Sequence, residues 1–331
     1  MEDPAKFGRF LLRRRAGLSW LEASNLNQFP WLVHAFSTRV AGSGGSSLDL
    51  GTHSSRQPRE VAENRRRFFR QLRVENFAIA SLKQVHSVQV WQVRALRRGR
   101  LEYLPAGFSL HAEAHSADRE GDALVTDQPA VLLSVRTADC LPVLIVDPRR
   151  RAVAAVHAGW RGLLKRIVEK TVERMHGVFG SEPRDLVAAL GPSIRACCYE
   201  VGPEVVGAFH EQFPQADKFF HRRSAAAAPA AANHPTPMKA GLPSLSRRGI
   251  RGASAMGTSP LKHERPEGWH LDLIAAALGQ FASAGVRKSP VQVADYCTAC
   301  RSDLFFSYRR DGSAAGRMMA VIGLRAPSTS N

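Results

Sequence analysis

Three apolar segments in close succession limit what this chain can become more than any other feature. Residues 131–135 (VLLSV), 141–147 (LPVLIVD) and 151–157 (RAVAAVH) read as buried strands, the last two joined by a tight Asp-Pro turn. A helix is expected next, because Leu164, Ile167, Val168, Thr171, Val172 and Met175 fall at helical spacing and Gly180 supplies a C-terminal stop. Further strands are predicted at 31–37, 186–190, 291–296, 305–308 and 318–324, with mostly strand over 77–93. Helices are predicted at 58–72, opened by Pro58, and at 203–213 and 271–284. The plan is mixed α/β.

With 331 residues, 44% of them apolar, the chain can bury a large core. No apolar run approaches the roughly 18 residues of a membrane helix, and the first residues lack the apolar stretch of a signal peptide, so a cytoplasmic protein with no membrane partner is expected. Five cysteines, with Cys197 and Cys198 adjacent, do not resemble a secreted disulfide framework. The net charge of +17 comes from arginine clusters scattered along the chain. No nucleic-acid module accompanies them, so solvated surface and attraction of phosphate are the expected uses and a nucleic-acid partner is not. Residues 1–30 read as a basic leader. From 221 to 268 the chain turns Ala-, Pro-, Ser- and Arg-rich, an insertion expected to be disordered and removable, set within one domain over 31–324.

The 141–157 hairpin suggests chemistry. If Asp147 faces Arg150 across the two-residue turn Pro148-Arg149, Cys140 falls opposite His157, and directly opposed side chains lie about 4.5 to 5.5 Å apart at Cβ. A four-residue turn is expected to give the same register, and a three-residue turn to shift it by one. A thiolate and an imidazole placed this way could share a metal ion. A catalytic zinc needs a third protein ligand and an open position, and His86, in the strand-like KQVHSVQV, is the candidate. Each of the three alone reads more readily as a packed or hydrogen-bonded core residue; the hairpin argument favours Cys140 and His157 as ligands, and spacing leaves His86 undecided. After His157, the junction Ala158-Gly159-Trp160-Arg161-Gly162 opens a helix whose free N–H groups would attract an anion, unless its glycines simply make the turn. His111-Ala112-Glu113 with Cys297-Thr298-Ala299-Cys300 only superficially matches a zinc cytidine deaminase, since Tyr296 replaces the proline and the halves are far apart. Cys300 is expected to have no ligand partner.

HAFSTR (34–39), SLDLG (47–51), ENRRRF (63–68), KQVHS (83–87), GDALVT (121–126), TADCLPVLIVDP (137–148), AAVHAGWRG (154–162), LGPSIRACCYEVG (190–202), CTAC (297–300) and FFSYRRDG (305–312) together resemble the YfiH-type, laccase-domain family of purine nucleoside phosphorylases. The resemblance implies a single-domain, four-layer α/β/β/α sandwich with mixed sheets. It implies a metal site of one cysteine and two histidines, matching Cys140, His86 and His157, that holds Zn²⁺ or Cu²⁺. It also implies phosphorolysis of adenosine, inosine and methylthioadenosine with some adenosine deamination, the partners being purine nucleosides and phosphate. By the same analogy Arg39 and the SLDLG loop with Asp49 line the nucleoside pocket, although the family usually has asparagine at that position. Cys300 and the 221–268 insertion are not family features.

In this reading the metal acts as Lewis acid and supplies a hydroxide near neutral pH. Phosphorolysis also needs a positioned phosphate, which Arg39, Arg161 and Arg309 could hold, and a proton for the departing purine, whose donor the sequence does not name. Two rival chemistries use the same residues: copper-dependent oxidation of phenols, and a metal-free hydrolase in which His157 activates Cys140.

Overall fold

The computed structural model describes residues 10–42, 47–51, 58–96, 99–105, 119–223 and 268–326. In chain order the elements begin with strands β1 (Phe10–Arg15), β2 (Leu18–Ala23) and β3 (Leu32–Ala41), helix α1 (Pro58–Leu72), and strands β4 (Ala78–Ala80), β5 (Val90–Ala95), β6 (Leu101–Leu104) and β7 (Ala123–Thr126). There follow β8 (Val131–Thr137), β9 (Leu141–Asp147) and β10 (Ala152–Ala158), then helices α2 (Trp160–Leu164) and α3 (Ile167–Phe179). The remainder runs β11 (Val187–Leu190), β12 (Glu200–Val201), α4 (Pro203–Gln212), β13 (Phe220–Arg223), β14 (Gly268–Leu271), α5 (Leu273–Ser283), β15 (Val291–Val293), α6 (Tyr308–Asp311) and β16 (Met318–Leu324).

Among the described residues these strands form two large mixed sheets, ordered β1-β2-β3-β16-β8-β4 and β15-β11-β9-β10-β7-β5-β6, and a small sheet β12-β14-β13. The large sheets pack face to face. Leu133 and Val135 of β8, Ala320 and Ile322 of β16, Leu144 and Val146 of β9, and Val153 and Ala155 of β10 fill the space between them. The alternate residues point the other way. Leu132, Met319 and Val321 meet Phe68 and Leu72 of α1, while Val143, Ile145, Ala154 and Val156 meet Ile167, Val172, Phe209 and Phe281 of the helices α3, α4 and α5. Both faces of each sheet are therefore covered, which is why its strands read as unbroken apolar runs. The result is the four-layer α/β/β/α sandwich in one domain. No helix among the described residues is long and apolar enough to cross a membrane.

Several sequence expectations need correction. The stretch 1–30 is not all leader: β1 and β2 extend the first sheet, with Leu18, Trp20, Leu21 and Ala23 buried. The surrounding arginines hide this short strand from a reading based on composition. Residues 305–308 form no strand. Phe305 and Phe306 are buried in a loop, and Ser307 caps α6 by accepting from Arg310 N. The helix after His157 is two helices, broken where Arg166 adopts φ 66°, although Gly180 does end α3 in the left-handed conformation. Of the insertion placed at 221–268, residues 224–267 lie outside the described residues. Its ends, His221–Arg223 and Gly268, belong to β13 and β14, where Arg223 and Gly268 are direct register partners.

Candidate metal centre

The hairpin β9–β10 forms, but its turn, residues 148–151, has four residues and, contrary to expectation, does not keep the register of the two-residue turn. Asp147 Oδ1 accepts from the backbone N–H groups of Arg149 and Arg150, Arg151 takes φ 49°, and Asp147 faces Ala152. His157 consequently faces Pro142, not Cys140. A shift of two residues keeps every side chain on its original face. Cys140 thus sits just before β9, beyond the end of the ladder, and still beside His157.

His86 arrives from another direction and not from a strand. Residues 81–89 are an irregular connection from β4 in the first sheet to β5 in the second, and His86 itself is left-handed at φ 59°. That conformation is uncommon for a residue with a side chain and needs support. Asp122 supplies it. The backbone N–H groups of Val85, His86 and Ser87 donate to its carboxylate at 3.3, 3.0 and 2.6 Å, and Ser87 Oγ donates at 2.7 Å.

The same carboxylate organises His157, whose Nδ1–H donates to Asp122 Oδ1 at 2.7 Å while its backbone N–H donates to Asp122 O. With Nδ1 engaged, Nε2 is the nitrogen left for a metal or for Cys140. Cys140 Sγ lies 3.6 Å from His86 Nε2, the two imidazole rings meet edge to face at 4.9 Å, and the three ligand atoms all lie within 4.8 Å of one another. Gly159 permits this approach. A Cβ there would stand 2.6 Å from His86 Cδ2 and 3.1 Å from Cys140 Sγ.

The electrostatics favour a thiolate. Burial opposes charge on both Cys140 and His157, but each holds the other ionised. The Cys140 thiol is brought down to about 6 by His157 and His86, and His157 is raised to about 9 by Cys140 and Asp122. Burial would also raise Asp122, yet its hydrogen bonds from His157 and Ser87 leave it below the ordinary aspartate value. A buried carboxylate, two imidazoles and a thiolate on converging elements have the composition of a metal site with its outer support in place.

Asp139 positions Cys140 from the other side. It is buried at φ 93°, and its carboxylate accepts from Thr298 Oγ1 and from Arg309 N, both at 2.6 Å. Arg309 thus reaches the site through its backbone, while its guanidinium donates to Glu200 O and lies over the Tyr199 ring. Tyr199 is held protonated by its burial and by the negative charge of Cys140 and Asp139, against the pull of Arg309 and Arg161. Arg161 stacks on Trp160 in the first turn of α2 and is exposed. Arg39, at the end of β3, lies over Phe306 and donates to Ser302 O.

Of the four expected substrate contacts, Asp49 is the one the structure keeps from solvent. It is fully buried, and its Oδ1 accepts from the N–H groups of Gly51 and Arg317. Arg65, Arg136 and Arg317 form a cationic group that sequence reasoning missed. Arg136 is brought down to about 10 by burial and by the other two charges. Its backbone N–H donates to Gln84, two residues before His86. Asp122 and Asp139 were also missed as site residues. Both stood inside noticed motifs, GDALVT and TADC, but their partners are remote in sequence. Cys300 is not isolated, since its Sγ lies 3.3 Å from that of Cys198 and 3.6 Å from that of Cys197. His111 and Glu113 lie outside the described residues.

The family described as multi-copper polyphenol oxidoreductase laccase matches residues 33–250 and 245–325. The chain is 36% identical over 311 residues to a protein of Deinococcus radiodurans named purine nucleoside phosphorylase, covering 93% of this chain and 94% of that one. To the purine nucleoside phosphorylase YfiH of Escherichia coli it is 31% identical over 291 residues, covering 87% and 92%. The crystal structure of a Bacillus licheniformis protein described as hypothetical protein YfiH superposes with a TM-score of 0.70 at 26% identity, over 95% of this chain and all but 1% of the other (99% covered). That of YlmD from Geobacillus stearothermophilus superposes at 0.69 and 27% identity, covering 96% and 100%.

Proposed function

The chain belongs to the multi-copper polyphenol oxidoreductase laccase family, and from that premise we propose that it is a metal-dependent purine nucleoside phosphorylase with adenosine deaminase activity. Its substrates are adenosine, inosine and methylthioadenosine, which with phosphate give the free base and the corresponding ribose 1-phosphate. The observation that carries the reading is the convergence of His86, Cys140 and His157 with Asp122 behind two of them. The relatives named purine nucleoside phosphorylase lend it the substrate class.

The donor set, a soft thiolate and two imidazoles, fits zinc. Bound there, Zn²⁺ would supply Lewis-acid charge and a water acidified to near neutral pH, which suits replacement of the adenosine amino group by oxygen. The protein's own part is positional. Asp122 fixes which nitrogen His157 presents, and Asp139 and Gly159 set the place of Cys140 relative to His86. For phosphorolysis, a phosphate oxygen must attack the sugar carbon as its bond to the purine breaks. Arg161 and Arg309, with Arg39 and the group Arg65, Arg136 and Arg317, provide the cationic surroundings that hold that anion.

Oxidation of phenols by several coppers is less well supported. Among the described residues the other cluster able to hold a metal contains four cysteines and no histidine, whereas blue-copper chemistry uses a His₂Cys set and multicopper catalysis further histidine-rich sites. The test is turnover of the three nucleosides by zinc-loaded protein, with and without phosphate, the products separated by chromatography. Phosphate-dependent release of base together with ribose 1-phosphate is expected. No turnover of any of the three would overturn the proposal.

A further inference from the structure

The site above uses one of five cysteines, and the other four come together elsewhere. Cys197 and Cys198 lie on the turn that follows Ile194, and Cys297 and Cys300 on the turn that follows β15. An isolated parallel bridge between Ser193 and Cys297 and a hydrogen bond from Thr298 N to Ser193 O hold the two turns side by side. The sulfurs of Cys198 and Cys300 are 3.3 Å apart and those of Cys197 and Cys300 3.6 Å, and all four lie within 4.8 Å of one another. No disulfide joins any of them.

We propose that Cys197, Cys198, Cys297 and Cys300 form a second, structural metal centre that binds a thiophilic divalent cation, zinc foremost, through four sulfurs. Tetrahedral Zn–S bonds of about 2.3 Å put neighbouring sulfurs about 3.8 Å apart, so the cluster is close to the required size without rearrangement. A disulfide would need about 2.05 Å. The C-x-x-C spacing is that of half a zinc knuckle, and its hydrogen bonding fits as well: Cys297 Sγ accepts from the backbone N–H groups of Arg195 and Cys300. Binding Zn²⁺ releases the thiol protons to solvent and leaves four thiolates around two positive charges. Cys297 is buried and Cys300 exposed, giving the ion a route in.

Four protein ligands close the coordination shell, so this centre would be architectural. It would clamp the loop on which Thr298 reaches Asp139 and on which the Thr298 and Ala299 carbonyls accept from Arg310. Asp139 precedes Cys140, so the clamp would brace one wall of the first site.

Although the first site rests on the function proposed above, the second can be read without it. The full-length Cys140→Ala protein, loaded with zinc and dialysed, is expected to keep about one zinc per chain, against about two in the parent. X-ray absorption should show four sulfurs at about 2.3 Å, and cobalt substitution the intense charge-transfer bands of a tetrathiolate. Adding Cys300→Ser, a change at an exposed position, should remove that metal and free the remaining thiols for alkylation while the fold is kept. Cys140→Ala protein that binds neither zinc nor cobalt, or whose intact mass reveals disulfides after purification under reducing conditions, overturns the proposal. Failure of the first site alone would look different: the parent would carry about one zinc, all of it bound by sulfur.

Discussion

Asp122 Oδ1 lies 2.7 Å from His157 Nδ1, and neither side chain is more than marginally exposed to water. Because the same carboxylate also accepts from residues 85–87, one acid sets the position of two of the three proposed ligands. Asp122→Asn keeps the shape but weakens these acceptors and can present an N–H where His157 needs an oxygen. Zinc affinity at the three-ligand site, measured by chelator competition, is expected to fall about 10- to 100-fold. Parental affinity in this variant would refute the role given to Asp122.

Gly159→Ala tests the packing of the site without touching a ligand. Its Cβ would stand 2.6 Å from His86 Cδ2 and 3.1 Å from Cys140 Sγ, so the two side chains cannot both keep their places. Circular dichroism should remain parental, while metal affinity at that site and nucleoside turnover both drop by about 10-fold or more, the scale of losing a ligand's support. Unchanged kinetics would mean that His86 is not required where it sits.

Cys140→Ala removes the thiolate. Turnover of adenosine and inosine is expected below about 1% of the parent, with folding stability changed by only about 1 kcal/mol, as for an ordinary truncation of a small side chain. A variant that turns over adenosine at the parental rate would remove Cys140 from the mechanism.

His34 offers a pH dependence independent of the site. Burial lowers its pKa from 6.5 to about 4 against the pull of Glu22, and Nε2 accepts from Ala23 N–H, a bond that only the unprotonated nitrogen can make. The unfolded chain therefore binds a proton between about pH 6.5 and 4 that the folded chain refuses, and stability falls as pH falls through that window. The loss attributable to His34 approaches about 3 kcal/mol. It is present in full only near pH 4, and His34 contributes no such slope above about pH 6.5. Denaturant unfolding of metal-free protein at pH 7 and 4.5, compared with His34→Gln, should show a smaller drop in the variant. Equal drops would count against it.

Because Arg223 and Gly268 pair directly, a two-residue turn can replace 224–267 and close β13 and β14 as a hairpin. The shortened protein should keep its fold and its nucleoside turnover within about 2-fold, since register and the two large sheets are untouched. Aggregation or lost activity would show that the segment has work of its own.

The layers were legible because burial on both faces leaves a direct trace in sequence, as in 131–135 and 141–147. Cys140 and His157 were paired by hairpin arithmetic that chose too short a turn. The carboxylate of Asp147, which caps that turn, and the left-handed Arg151 set its length, and neither follows from apolar pattern. The error was harmless only because it was even. His86 could not be placed by periodicity, since its loop is shaped by a carboxylate from a later strand. The cysteine cluster was invisible for a similar reason. Cys197 and Cys300 are adjacent only after β11 and β15 pair in parallel and carry their following turns to the same end of the sheet.

The connections that carry His86 and Cys140 each run from the first large sheet to the second, β4 to β5 and β8 to β9. Cys140 and His157 are brought together by their own hairpin, but both ligand pairs that include His86 close long loops. Such contacts form late, after the entropy of those loops has been lost. Metal capture by His86, Cys140 and His157 would then mark the docking of one sheet on the other. A chain halted before that step, however much strand it had formed, would hold zinc no better than an unfolded peptide with the same residues.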